Sequence, residues 1–388
     1  MPIQIVGNSY SVGSAMSFFQ AYSVRLVGFS VLALLLSYAL KGDVFQSSFI
    51  DSLSFPELNT TSAEVLIIGG SHAGLSAALT LARHQIDVLI LDSNAPRNKW
   101  KTPTHALPSW ENRNPDDLRR ASRKELQKTG FASFANTHIT TITKPGANES
   151  MFVARDSQGG EWSGRKLLIA AGVEFVFPSI KGYEENFPDR ILHCLFTRGL
   201  EYKGSRSAGL LAMGLAGSPH HSAMLVEDAQ KFASTVTVYT NGDSKLGAEI
   251  SATLLARGEE NTVVDNRKII QLLREPTGDS ITIVFDDGGT VTESFLVHQP
   301  DTRVNPEIVS QLGLETNERN DIVTRMPFYQ TNVAGIFAAG DCASPFKMIP
   351  NAIFQGSNAG AGIARELPRR ITHNHIDRLA DKETTWYG

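Results

Sequence analysis

Four consecutive apolar residues, Val65, Leu66, Ile67 and Ile68, stop at Gly69 and Gly70, after which Leu75, Leu79 and Ala82 recur at helical spacing. A short apolar run bounded by glycine predicts a buried parallel strand, and the recurrence predicts a helix packed back onto it. The tight turn between them leaves helix N–H groups pointing outward at the positive end of the helix dipole. Such a turn holds a pyrophosphate when little side chain stands in the way. A second apolar run, Val88 to Leu91, ends in Asp92, and far downstream Thr331 to Asp341 reads as a strand closed by Gly340 and Asp341. Between these, Pro115 to Gln127 predicts a helix with Asn114 and Asp116 in its cap region. Its Arg119, Arg120, Arg123 and Lys124 read as a solvated face. Thr137 to Ile142 and Met151 to Ala154 alternate as strands.

At 388 residues the chain exceeds the usual single-domain size, so two domains are expected. With 41% hydrophobic and 20% charged residues the chain is globular, and a net charge of −4 without a long basic run gives no reason to expect nucleic acid as partner. The first sixty residues differ from the rest. Arg25 precedes an uncharged apolar run from Leu26 to Leu40, followed by Lys41; its 15 residues fall short of the ~20 of a membrane span and match a signal-peptide core. Ser37 and Ala39 are spaced for cleavage, and Asn59-Thr60-Thr61 and Asn148-Glu149-Ser150 are glycosylation sequons. The expectation is entry into the secretory pathway, with the leader cleaved or retained as a membrane anchor. The alternative is a cytoplasmic chain with an N-terminal extension. Two cysteines, Cys194 and Cys342, are too few for a disulfide framework.

Gly69 and Gly74 hold the outer positions of the dinucleotide fingerprint, Ser71 stands at its middle glycine, His72 and Ala73 fill the gap, and Asp92 lies near the ~20-residue offset of a ribose-binding acid. With the downstream strand ending at Asp341, these pieces resemble the two FAD-binding halves of thioredoxin-reductase-like flavoproteins, part of the class-II pyridine nucleotide-disulfide oxidoreductases. The likeness is closest to the fungal branch that includes the dithiol oxidases of epidithiodiketopiperazine pathways, and it covers roughly Ala63 to Arg370. It implies an α/β fold of two Rossmann-like nucleotide-binding domains, the second inserted into the first. The expected divisions are a leader (1–60), a first FAD-binding part (61–182), an inserted nicotinamide-binding-like domain (183–300), a second FAD-binding part (301–371) and a tail (372–388). By the same resemblance Arg97, Asn98 and His105 line the FAD, the backbone at Ile139 meets the adenine and Asp341 binds the ribityl chain. The helix starting near Met348 and Ile349 aims its N-terminus at the pyrimidine edge of the flavin. A homodimer is implied as well.

The departures from that family shape the functional expectation. Where the reductases carry a CxxC, this chain reads Cys194-Leu-Phe-Thr197, and a threonine forms neither disulfide nor thiolate. Relay of electrons through a protein dithiol is therefore expected to be absent. The nicotinamide half reads as degraded: Ser218-Pro219-His220-His221 replaces the tidy turn into a helix, and Asn241-Gly-Asp-Ser-Lys245 lacks the arginines that clamp a 2′-phosphate. His220 and His221 read as exposed loop, with a ligand cleft as the alternative. Cys342 reads as packing. The expected activity is FAD-dependent oxidation of a small organic molecule directly at the flavin, in fungal secondary metabolism, with oxygen as acceptor and Cys194, Thr197 and His193 near the reacting centre. Two alternatives stand beside it: an NADPH-dependent flavoprotein reductase, and a non-catalytic FAD-binding protein.

Overall fold

The computed structural model describes residues 61–100, 102–146, 149–259 and 262–367. The leader, both sequon asparagines and the tail lie outside the described residues.

The apolar run after the leader forms the strand Ser62–Ile68, followed by the helix His72–Arg83 and the strand Val88–Asp92, as the hydrophobic pattern predicts. Among the described residues this unit nucleates a seven-stranded sheet. Ala132–Asn136, Val88–Asp92, Ser62–Ile68 and Glu161–Ile169 lie parallel in that order. Phe152–Asp156 and Ile139–Thr143 continue it antiparallel, and Ile336–Ala338 returns from far downstream to pair parallel with Glu161–Ile169.

Both faces of this sheet are buried, which is why its central strands read as continuous apolar runs rather than as alternation. Val65 and Ile67 point to a core shared with the helix His72–Arg83, whereas Leu66 and Ile68 join Ile308 and Leu312 on the other face. Each such side chain contributes on the order of 1.5–3 kcal/mol by leaving water. The final helix, Ile349–Glu366, packs against His72–Arg83, and the contact depends on a missing side chain: a Cβ on Gly356 would stand 2.1 Å from the Ala73 carbonyl oxygen. The two helices that open at the sheet's carboxyl edge are thereby held side by side.

The chain leaves this unit through Glu174–Val176 and returns through Asp301–Arg303, and these two segments pair antiparallel. Between them lies a second, parallel sheet in the order Val263–Asp265, Ala233–Tyr239, Ser205–Leu211, Phe295–Val297 and Ile191–Leu192. A three-stranded antiparallel sheet from Ile269 to Glu293 covers one side. The fold is thus α/β with two Rossmann-like units, the second inserted into the first.

One expectation about the inserted unit is overturned. The Ser218-Pro-His-His stretch does not spoil the turn. The Ser218 side chain accepts a hydrogen bond from the His221 N–H, and Pro219 opens the helix Pro219–Ala229. Serine at the cap and proline in the first turn, where an N–H would have no partner, are helix-starting chemistry. His220 and His221 therefore sit in the first turn of a helix rather than in a loop, and His221 Nε2 meets Gln299 Oε1 at 2.7 Å.

Candidate functional site

The carboxyl ends of the first sheet, the N-termini of the helices His72–Arg83 and Ile349–Glu366 and one edge of the inserted unit enclose a cleft of about 910 Å³. The turn Gly69–Ala73 forms its floor. Gly69 adopts φ = 104°, and a Cβ there would lie 2.3 Å from the Ala170 carbonyl oxygen, so the turn tolerates glycine alone. Ser71 caps the helix His72–Arg83 without a side-chain hydrogen bond, and the first turn carries no acidic residue. That helix end therefore presents uncompensated N–H dipoles to the cleft.

Of the residues singled out in the sequence, Gly69, Ser71, His72, Ala73, Asp92, Arg97, Asn98, His105, Ile139, His193, Thr197, Asp341, Met348 and Ile349 all line this one cleft. Two expected residues do not. Gly74 lies beneath the turn, where a Cβ would stand 2.0 Å from the Gly69 carbonyl oxygen. Its service is to let helix and turn close on each other, not to clear space for a ligand. Cys194 stands outside the cleft wall as the cap of the one-turn helix Leu195–Arg198, while Thr197 faces the cleft from that helix. The Thr197 hydroxyl donates to the Cys194 carbonyl at 3.2 Å.

Charges in the cleft are arranged in pairs. Arg97 Nε lies 2.7 Å from Asp341 Oδ2, and its Nη2 donates to the Lys347 carbonyl at 3.0 Å. Lys347 in turn reaches the buried carboxylate of Asp321 at 2.7 Å and the carbonyls of Asp341 and Ser344. This chain of contacts fixes the start of the helix Ile349–Glu366, whose cap, Met348, supplies no side-chain acceptor, so a second helix end opens on the cleft. Asp92 pairs with Arg123. His105 Nδ1 meets Glu111 at 2.6 Å and its Nε2 lies 3.4 Å from Glu201, bridging the two units at the cleft edge.

Two histidines on the cleft wall are held neutral. Burial, reinforced by Arg119, lowers His72 to about 4, and its Nε2 is enclosed without a protein partner. Burial, reinforced by Arg97 and Arg198, lowers His193 to about 3; its ring packs edge-on to Phe175 and against Phe187. Cys342 is fully buried, and burial pushes its thiol up to about 12, which removes it from thiolate chemistry.

Sequence reasoning missed Arg119. It belongs to no solvated face: it is 9% exposed, lines the cleft and donates to Asn98 Oδ1 at 2.9 Å. The signal was its register, since Pro115, Arg119 and Leu126 share the buried stripe of the helix Pro115–Thr129. Trp100, Arg198 and Lys347, also on the cleft wall, had no motif to announce them.

The site's geometry agrees with comparisons to known proteins. Residues 63–356 match the family model for pyridine nucleotide-disulphide oxidoreductases. A thioredoxin reductase of Gibberella zeae is 35% identical over 78% of this chain and 97% of its own length. Thioredoxin reductase sirT of Leptosphaeria maculans is 36% identical over 77% of this chain and 93% of its own length. Among solved structures, an oxidoreductase from Agrobacterium tumefaciens superposes with a TM-score of 0.68 at 27% identity, covering 79% of this chain and 98% of that one. On these matches, and on the paired nucleotide-type units described above, the chain belongs to the pyridine nucleotide-disulphide oxidoreductase family, as a thioredoxin-reductase-like enzyme akin to fungal members and lacking the second cysteine of the CxxC.

Proposed function

We propose that this FAD-dependent oxidoreductase oxidises a small organic molecule directly at the flavin, with dioxygen as the acceptor and hydrogen peroxide as product, in fungal secondary metabolism. The observation that carries the reading is the position of Thr197: the cleft wall at the CxxC site carries a threonine, and the lone Cys194 is not among the residues that line it. Two sulfurs within bridging distance are required for dithiol relay, and Cys342, buried with its Sγ within 3.4 Å of the Ile169 and Ala339 carbonyls, cannot supply the second.

The cleft fits FAD, the cofactor of the family. His72 keeps an enclosed ring nitrogen without a partner, the glycine turn forms the cleft floor, and the length of the cleft joins two open helix ends. Gly69 to Ala73 would hold the pyrophosphate, Asp92 and Ile139 the adenosine end, and Arg97, Asn98, Asp341 and Met348–Ile349 the ribityl and flavin end. When bound, FAD supplies a hydride-accepting ring. The residues around it do the rest. The open N-terminus of Ile349–Glu366 favours negative charge at that end, Arg97 and Asp341 hold each other in place, and neutral His193 offers a hydrogen bond without adding charge. Thr197, its hydroxyl turned to the Cys194 carbonyl, leaves the adjoining space to substrate.

The test is anaerobic mixing of the purified full chain with NADPH and an aromatic disulfide or thioredoxin. Negligible disulfide reduction is expected even with FAD fully bound. Rapid reduction abolished by Cys194→Ser contradicts the reading. A second reading, an NADPH-dependent flavoprotein reductase, is favoured by the intact Ser218-capped turn of the inserted unit. Bleaching of the flavin by NADPH alone distinguishes it.

We propose further that the protein enters the secretory pathway through its apolar leader and assembles as a homodimer. Made in a eukaryotic secretory host, it should shift in size on deglycosylation, and deletion up to Lys41 should leave it cytosolic and unglycosylated. An unmodified cytosolic full-length chain contradicts this localisation.

A further inference from the structure

Resting on the reading of the cleft as a flavin site, we infer that its end walled by Trp100, His193, Thr197 and Arg198 takes a planar organic acid, whose carboxylate is recognised by Arg198. Most cations of the cleft carry a counter-charge within the protein: Arg97 has Asp341, Arg119 has Asp116, and Lys347 has Asp321. Arg198 is different. Its carboxylate contact, Nη2 to Asp189 at 3.4 Å, is long, and Asp189 is shared with Arg274, which sits closer to it. Two guanidinium groups on one carboxylate leave a net positive charge. The Arg198 side chain is 13% exposed and its enclosed Nε has no protein partner. This guanidinium, which also hydrogen-bonds Tyr202, stands at the cleft wall with its charge only partly compensated, and a carboxylate is the group whose geometry matches it.

The wall beside Arg198 describes the rest of the ligand. Trp100 and His193 both pack on Phe187, with ring centroids at 5.1 and 5.4 Å, and both also contact Phe175. Trp100 and His193 themselves line the cleft, so aromatic rings border the space next to the cation. Flat, apolar walls select a conjugated or aromatic body.

Calorimetric titration of the full chain with benzoate and with its uncharged isostere benzamide tests the assignment. Benzoate should bind about tenfold more tightly or better, the typical worth of one charge-assisted hydrogen-bond pair. Arg198→Met should bring benzoate down to the benzamide level without changing benzamide affinity or flavin content. Asp189→Asn, which frees the cation, should strengthen benzoate binding, a gain that misfolding cannot imitate. Equal affinities in the unmodified chain, or benzoate binding unchanged in folded Arg198→Met, would overturn the assignment and leave Arg198 as a structural counter-charge to Asp189. The heats are read with or without flavin, so the two readings fail separately. A flavin-replete chain that does not discriminate refutes the acid site alone, and a flavin-free chain that does discriminate refutes the flavin site alone. A chain that does neither refutes both.

Discussion

Asp341→Ala should be purified nearly free of FAD, with flavin affinity reduced by more than about a hundredfold. The carboxylate has two tasks in the cleft. It faces the space assigned to the ribityl chain, and it neutralises Arg97, whose side chain is only 15% exposed. Removing it leaves a largely buried guanidinium unpaired, a change that costs on the order of 3–5 kcal/mol when a buried pair is broken from one side. The damage spreads, because Arg97 also holds the Lys347 carbonyl at the entrance to the helix Ile349–Glu366. Gly74→Val should do the same by a steric route, since even its Cβ meets the Gly69 carbonyl at 2.0 Å and forces the turn out of shape. Asp341→Asn, which keeps an acceptor but not the charge, should lie between. The ratio of flavin to protein absorbance after purification reads all three; full occupancy in Asp341→Ala and Gly74→Val would remove the assigned site.

The second large effect is a gain. Thr197→Cys should create a cystine with Cys194 and add electron capacity to the protein. Residues 194 and 197 bracket a single helical turn, and the Thr197 Oγ1 already reaches back to the Cys194 carbonyl at 3.2 Å. A turn of helix brings the two Cα atoms into the range a disulfide needs. The new sulfur at 197 would stand on the cleft wall, where a thiolate can contact the flavin and give long-wavelength absorbance. Thr197→Ser should show neither effect. Absence of any cystine in oxidised Thr197→Cys, by mass with and without alkylation, would mean that the Cys194 side chain is held away from position 197.

How much of this was legible beforehand depends on whether a residue's task was local. The strand Ser62–Ile68, its glycine turn and the helix after it follow from short-range rules, so the fingerprint residues and the α/β class could be read directly. The place of Asp341 and Met348 on the cleft was legible only through resemblance, because nothing in the local sequence says that the strand Ile336–Ala338 lies beside Glu161–Ile169. Arg119 was misread for a physical reason: in a helix with several arginines, composition points to solvent, and only the register with Pro115 and Leu126 separates the buried one. Ser218-Pro219 reads in the sequence as a spoiled turn, whereas the turn closes through a serine cap and a proline. Cys194 shows the limit of spacing arguments. The motif marks the right loop, but one turn of helix decides which end of it faces the cleft.

Whether the flavin works without a dithiol partner is read by an anaerobic reductive titration of the purified unmodified chain. A lone flavin takes up about one equivalent of a two-electron reductant, whereas a flavin coupled to a redox-active disulfide takes up about two. The structure predicts an end point of about one equivalent per flavin, unchanged in Cys194→Ser. An end point of about two, falling to one in Cys194→Ser, would contradict it.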